Sequence, residues 1–223
     1  MRMLAVFIKG ERLRHIGHLD LMRAMQRALR RSELPVSYSK GFNPHILVTF
    51  ASALSTGAWG THELMDVTLD EEVAPETFME AMNKALPEDL RVTSARSMEE
   101  RHPALMATVA AAEYAITFLD EAVPTKLAAC QEAFLAQNEI ITPRKTKSGV
   151  KDCDVKPLIY GLSVTGSTVY AKLCLTESSS CKPEMLLTAW CGFAGCEVAR
   201  HLICRERLYG RNAAGELAPL ETL

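Results

Sequence analysis

The sequence predicts an α+β protein made of two tandem ferredoxin-like (βαββαβ) domains. Three observations predict it. Apolar runs of strand length alternate with segments of helical periodicity in the order strand, helix, strand, strand, helix, strand. That order returns in the second half, a pseudo-duplication at the level of element order. A chain of 223 residues also suits two small domains better than one.

Residues 3–9 are a short apolar run with β-branched and aromatic members, the pattern of a buried strand, and Gly10 ends it. Residues 11–17 read as a loop. Residues 18–31 read as an amphipathic helix. Leu21, Met22, Met25, Ala28 and Leu29 share one face, while Arg23, Arg27, Arg30 and Arg31 share another. Pro35 stops the helix. Residues 36–38 start a strand that a polar loop interrupts, and residues 46–51 are its continuation or a second strand. The segment from Ser52 to Gly60 reads as a turn, and 63–69 alternate as a strand. Pro75 opens a second helix at its first position, with Phe78, Met79, Met82 and Leu86 at helical spacing. Pro87 closes it, and residues 90–97 form the last strand of a domain covering 1–98.

Residues 99–112 read as a linker and 113–210 as the second domain. It is expected to hold a strand at 114–119 and a helix at 124–137, with Leu127, Cys130 and Phe134 on one face. A hairpin follows around Thr165-Gly166-Ser167, then a helix at 183–191 and a strand at 198–209. A polar, basic loop is inserted at 142–156, and residues 211–223 read as a frayed tail.

Apolar content of 48% and charged content of 23% are ordinary for a globular protein. The N-terminal apolar run is too short for a signal peptide, and no run approaches the ~20 residues that span a bilayer. The expectation is a cytoplasmic protein with no membrane partner. The seven cysteines form no CxxC pair, so neither a zinc ribbon nor a thioredoxin-like site is expected. Cys191 and Cys196 stand at a spacing that is weak for a metal site. Buried, reduced thiols are the expectation. No metal, cofactor or catalytic residue is assigned, and the oligomeric state is left open.

The net charge of −2 conceals an asymmetry: residues 1–45 carry +6 and the remainder −8. A local basic region on an acidic chain points to a localised anionic partner. Between residues 12 and 40 only Asp20 and Glu33 are acidic, so few ion pairs along the helix neutralise its arginines. Arginine suits bidentate phosphate contacts, which makes Arg12, Arg14, Arg23 and Arg27 candidate RNA contacts. In the stretch Tyr38-Ser39-Lys40-Gly41-Phe42-Asn43-Pro44-His45, Gly41 permits a backbone shape other residues avoid, and Pro44 biases Asn43 towards an extended one. Lys40, Asn43 and His45 then project as donors for a phosphate or a base edge. The alternative is that Asn43 and His45 bond the loop's own backbone. His15 and His18 join the candidates. With His45 they make a weaker case for a metal or for acid–base work on a ribose hydroxyl, since no carboxylate pattern accompanies them. A second basic cluster, Arg144, Lys145 and Lys147 with Lys156 beyond, occupies the loop equivalent to 39–45 in the second repeat. Two such loops are expected to line one basic cleft. The aromatic stripe of an RNA-recognition sheet is not evident, and Phe7, Phe50 and Tyr114 read as core.

The run from Leu13 to Ala24, then Leu34-Pro35-Val36, then Tyr38 to His45, resembles the bacterial radical-SAM-associated domain family of unknown function. Fainter likeness continues through Glu63-Leu64-Met65-Asp66-Val67, Asp154 to Ile159 and Arg205 to Gly210. Ile46 and Leu47 stand where that family usually has Pro and a basic residue. Domains of the family occur alone or fused to the C-terminus of cobalamin-binding radical SAM proteins. The resemblance implies a radical SAM protein as partner in trans. Together with the basic residues it suggests an accessory module that binds RNA, such as tRNA or rRNA, for modification. A metal-independent endoribonuclease resembling repeat-associated RNA-processing enzymes is one alternative, although the glycine-rich C-terminal signature of those enzymes is missing. A protein–protein adaptor docking on the radical SAM protein is the other.

Overall fold

A computed structural model describes residues 1–99, 101–146 and 149–223, with the side chains of residues 145 and 146 outside the description. The chain divides into two units, Met1–Val109 with Arg207–Leu223, and Ala110–Glu206.

In the first unit β1 (Arg2–Lys9) lies between β4 (Leu90–Met98) and β3 (Ala58–Thr68), and the short β2 (Val48–Phe50) pairs with the far side of β3. All these pairings are antiparallel. The strand order is fourth, first, third, second. Helices α1 (His18–Arg31) and α2 (Pro75–Ala85) supply Leu21, Met25, Ala28 and Leu29, and Phe78 and Met82, to a core shared with Met3, Ala5, Phe7, Met65 and Val67. The apolar stripe sets the extent of α1: it runs over the expected residues and ends with Arg30 and Arg31 in the last turn, where cations suit the helix dipole. Leu4 and Val6, on the other face of β1, are buried too, which explains why this strand reads as an unbroken apolar run.

Gly60, expected in a turn, lies buried inside β3. A Cβ there would come within 2.4 Å of Glu63 Oε1, so the missing side chain leaves room for the Glu63 carboxylate. The segment expected as a linker contains a one-turn helix, α3 (Leu105–Thr108).

In the second unit β5 (Ala111–Phe118) lies between β9 (Thr168–Cys174) and β10 (His201–Arg211), with β8 (Ile159–Thr165) beyond β9. The first six residues of β10 belong to this unit and the last five to the other. The order is again fourth, first, third, second. The β8–β9 hairpin turns at the expected place, with Gly166 at φ +55°. Helices α4 (Ala122–Ala136) and α5 (Pro183–Phe193) meet through Phe134 stacked on Trp190, ring centroids 5.4 Å apart. The inserted segment expected as a loop is instead a separate two-stranded antiparallel ladder, β6 (Ile141–Thr146) and β7 (Gly149–Asp154).

The C-terminal residues are not frayed. β11 (Leu217–Pro219) pairs with the end of β10, Leu220 is buried, and Arg96 donates to the Glu221 carbonyl at 3.1 Å. Among the described residues no helix is long and apolar enough to cross a membrane. All seven cysteines are free thiols, four of them buried.

Candidate functional site

The stretch 38–45 is the tip of a narrow antiparallel finger. Residues 46–51, expected either to continue the strand begun at 36–38 or to form a second one, turn back to face it. Tyr38 bridges Ile46, the Leu47 amide donates to the Ser37 carbonyl at 2.9 Å, and the Ser39 amide donates to the His45 carbonyl at 2.8 Å. The Ser39 hydroxyl closes the base of the tip: it accepts from the His45 amide at 3.1 Å and lies 2.8 Å from His45 Nδ1. Gly41 takes φ +133°, a region that disfavours any side chain, so the glycine is required for the turn. Beyond this clasp Lys40, Phe42, Asn43 and Pro44 are all exposed, and Phe42 is wholly so. Lys40 and Asn43 make no side-chain hydrogen bond or ion pair among the described residues. His45 is exposed, and its ring contacts the Ser39 hydroxyl within its own loop.

The arginines are more neutralised than their local sequence suggests. Arg12 Nε donates to Asp89 at 2.6 Å and a terminal nitrogen sits 3.5 Å from Glu88. The hydrogen bond and charge of Asp89, and then the charge of Glu88, hold the Arg12 pKa above its ordinary value. Arg14 pairs with Glu11 at 3.2 Å and Arg23 with Asp20 at 3.0 Å. Arg27 and Arg30 are exposed and have no ion pair among the described residues. His15 is exposed. His18 opens α1, half-buried, with its ring edge-on to Phe50 at 5.6 Å and Nδ1 buried without a hydrogen bond. Residue composition gave no sign of Lys9. Its ammonium is fully buried and donates to the carbonyls of Ile16 (2.9 Å), Ala58 (3.0 Å) and Arg14 (3.4 Å). These bonds fix the loop that carries Arg12, Arg14 and His15. The one signal was a lysine closing an apolar strand.

In the second unit the β6–β7 ladder sets Arg144 directly opposite Lys151, two cations on one face. Like charges in that register repel, so the pairing favours an anion beside it. Lys147 and the side chain of Lys145 lie outside the described residues. Asp154 ties the base of the ladder: its Oδ1 accepts from the amides of Ile140 (2.9 Å) and Lys156 (3.0 Å). The Ile140 bond and then the Lys156 bond hold the carboxylate below its usual pKa range. The Lys156 ammonium donates to the Gln137 carbonyl, so this candidate has a structural role in the ladder's anchorage. Among the described residues no group of three or more His, Cys, Asp or Glu is placed to hold a metal ion.

Lys40, Asn43 and His45 are thus brought together on one finger, and Arg144 gains Lys151 as a neighbour. Phe42, absent from the sequence-based candidates, stands at the most exposed point of the finger. A family model described as "Uncharacterized protein conserved in bacteria (DUF2344)" matches residues 2–186, a span that contains both the finger and the ladder. No curated protein matches the chain.

Proposed function

The chain belongs to this bacterial family, and from that premise we propose that it is an RNA-binding module that holds single-stranded RNA for a radical SAM enzyme acting in trans. We read each unit as a ferredoxin-like βαββαβ domain and the pair as copies of one ancestral unit. The support is the strand order of fourth, first, third, second in both. The radical SAM partner comes from the sequence resemblance.

The observation that carries the RNA reading is Phe42, a wholly exposed ring on a clasped finger beside Lys40 and Asn43. Exposing a phenyl ring to water forgoes the stabilisation of burying it. A nucleobase is a planar, apolar-faced partner that restores that contact without demanding a sequence. Lys40 supplies charge for the adjacent phosphate, and Asn43 supplies a donor and an acceptor for a base edge. The Arg144–Lys151 pair offers a second phosphate contact, and Arg27 and Arg30 a third.

The test is fluorescence anisotropy of a short labelled single-stranded RNA across a salt series. Loss of one stacked base costs ~1–3 kcal/mol, so Phe42→Ala should weaken binding roughly 5- to 150-fold. Lys40→Ala should reduce the slope of log affinity against log salt by ~0.7. Because Phe42 touches no core, its variant should melt with the wild type. Wild-type affinity in Phe42→Ala, or a flat salt dependence in the wild type, rejects the reading.

A further inference from the structure

All seven cysteines lie in the second unit. Two of them, Cys191 and Cys196, are placed against each other by the way α5 ends. After Ala194 the chain enters a left-handed conformation at Gly195, φ +64°. The Cys196 amide then donates back to the Cys191 carbonyl at 2.9 Å, and the Gly195 amide to the Gly192 carbonyl at 3.3 Å. This pair of bonds is the Schellman motif, which sets the side chain two residues past the helix against the side chain one turn inside it. The contact is ordinarily apolar. Here both positions are thiols. Cys191 is buried and Cys196 half-buried. Burial and then the neighbouring Cys196 thiol push Cys191 up, so Cys191 keeps its proton. Cys196 is the more accessible thiol of the pair and the one that peroxide reaches first.

We propose that Cys191 and Cys196 form an oxidative modification site, a thiol pair that hydrogen peroxide converts into a disulfide across the C-terminal cap of α5. The Cys196 thiolate attacks one peroxide oxygen and the O–O bond breaks. The other oxygen leaves as hydroxide and takes up a proton to become water, and Cys196 becomes a sulfenic acid. The Cys191 sulfur then attacks the Cys196 sulfur. The S–S bond forms, the S–O bond breaks, and the hydroxyl departs with the Cys191 proton as a second water. Two thiols lose two electrons and peroxide gains them. A dithiol reductant reverses the bond by exchange. The bond would close a loop containing Gly192 and Phe193. These two residues line a groove of about 310 Å3 with Phe134, Ile141, Pro143 and Thr188, so oxidation fixes one wall of that groove.

Sequence supplies a direct assay. Phe193 lies between the two cysteines, so chymotryptic cleavage after it leaves the halves joined only through a disulfide. The reduced full-length protein is treated with stoichiometric hydrogen peroxide, free thiols are alkylated under denaturing conditions, and the digest is read by mass spectrometry. The expected result is a Cys191–Cys196 linked peptide that disappears with dithiothreitol, persists in Cys130→Ser, and is lost in Cys196→Ser. Cys130, on α4, also neighbours Cys191 and is the competing thiol. Links from Cys130 to either partner, links confined to Cys153, Cys174 and Cys181, or full alkylation of Cys196 after peroxide would each overturn the proposal.

Discussion

Replacing Arg2 by methionine is expected to be among the most damaging single changes in the first unit. The Arg2 guanidinium donates to Asp66 Oδ2 from Nε at 3.1 Å and from a terminal nitrogen at 2.5 Å. It also donates to the carbonyls of His102 and Pro103, so it holds the segment after β4 as well as the carboxylate. The two side chains are only 17% and 10% exposed, and Asp66 Oδ1 is buried with no hydrogen bond. Arg2→Met therefore leaves a buried carboxylate without its cation. Breaking such a pair from one side costs ~3–5 kcal/mol. At ~2–4 °C per kcal/mol for a chain of this size, the melting temperature falls by roughly 6–20 °C. Replacing both partners should cost less than replacing Arg2 alone, because Arg2→Met/Asp66→Leu leaves no buried charge. Urea unfolding followed through Trp59 on β3, in a Trp190→Phe background, reports this unit. A loss below ~1 kcal/mol for Arg2→Met, or the same loss with Asp66 already replaced, would refute the reasoning, since the second result means no coupling.

Most of the fold was legible because its elements are locally consistent. The apolar and basic stripes of α1 match a helix period without a break, and Pro75 marks the start of α2. The misread segments depend on neighbours distant in sequence or on side-chain geometry. Gly60 signals a turn by type, but it serves a strand because the Glu63 side chain folds over it. The β6–β7 ladder carries almost no apolar alternation. It is held by backbone pairing, by the Asp154 tie and by Thr142 donating to the Met185 carbonyl of α5 at 3.3 Å. Residues 211–223 look like a tail, yet the absence of a side chain at Gly210 lets Leu220 and Leu223 seat against it.

Legibility of the candidate site divides along the same line. Gly41 was readable, and its φ of +133° is the conformation its type allows. Lys40 and Asn43 were readable as exposed donors on a turn. Phe42 was not, because an aromatic residue near apolar strands is ordinarily core. Only the clasp between Ser39 and His45 shows that the ring has nowhere to bury. Arg12 looked unopposed because its partners, Asp89 and Glu88, arrive from the turn before β4. Glu11, the partner of Arg14, fell one residue outside the acid-poor stretch. Charge counts along a segment thus overstate its cationic face whenever the fold returns acids to it. Lys40, Arg27 and Arg30 in the first unit and Arg144 and Lys151 in the second are among the cations that make no ion pair within the described residues.

Three further outcomes follow from the geometry. Gly210→Ala places a Cβ 2.9 Å from the Thr108 carbonyl oxygen and 2.6 Å from Leu223 Cδ1. A backbone atom cannot yield as a side chain can, so the expected loss is ~1–3 kcal/mol, and an unchanged urea midpoint contradicts it. Ser39→Ala removes both contacts to His45 and should weaken RNA binding several-fold with no change in melting temperature, because the finger tip lies outside the core. If affinity is unchanged, the clasp does not position the tip. The Asp154 tie yields a pH dependence. Its carboxylate is held below the usual range by the Ile140 and Lys156 amides, so its contribution is complete above the unfolded-state value of ~3.9 and is lost as pH falls through the lower folded value. Protection of the Ile140 and Lys156 amides from hydrogen exchange should therefore be constant at neutral pH and collapse only under acid below ~4. Asp154→Asn retains an acceptor oxygen but no titrating charge, so its protection factors should be lower at neutral pH and flat into acid. An acid collapse as steep in Asp154→Asn as in the wild type would assign the transition to another group and remove Asp154 as the tie that holds Arg144 opposite Lys151.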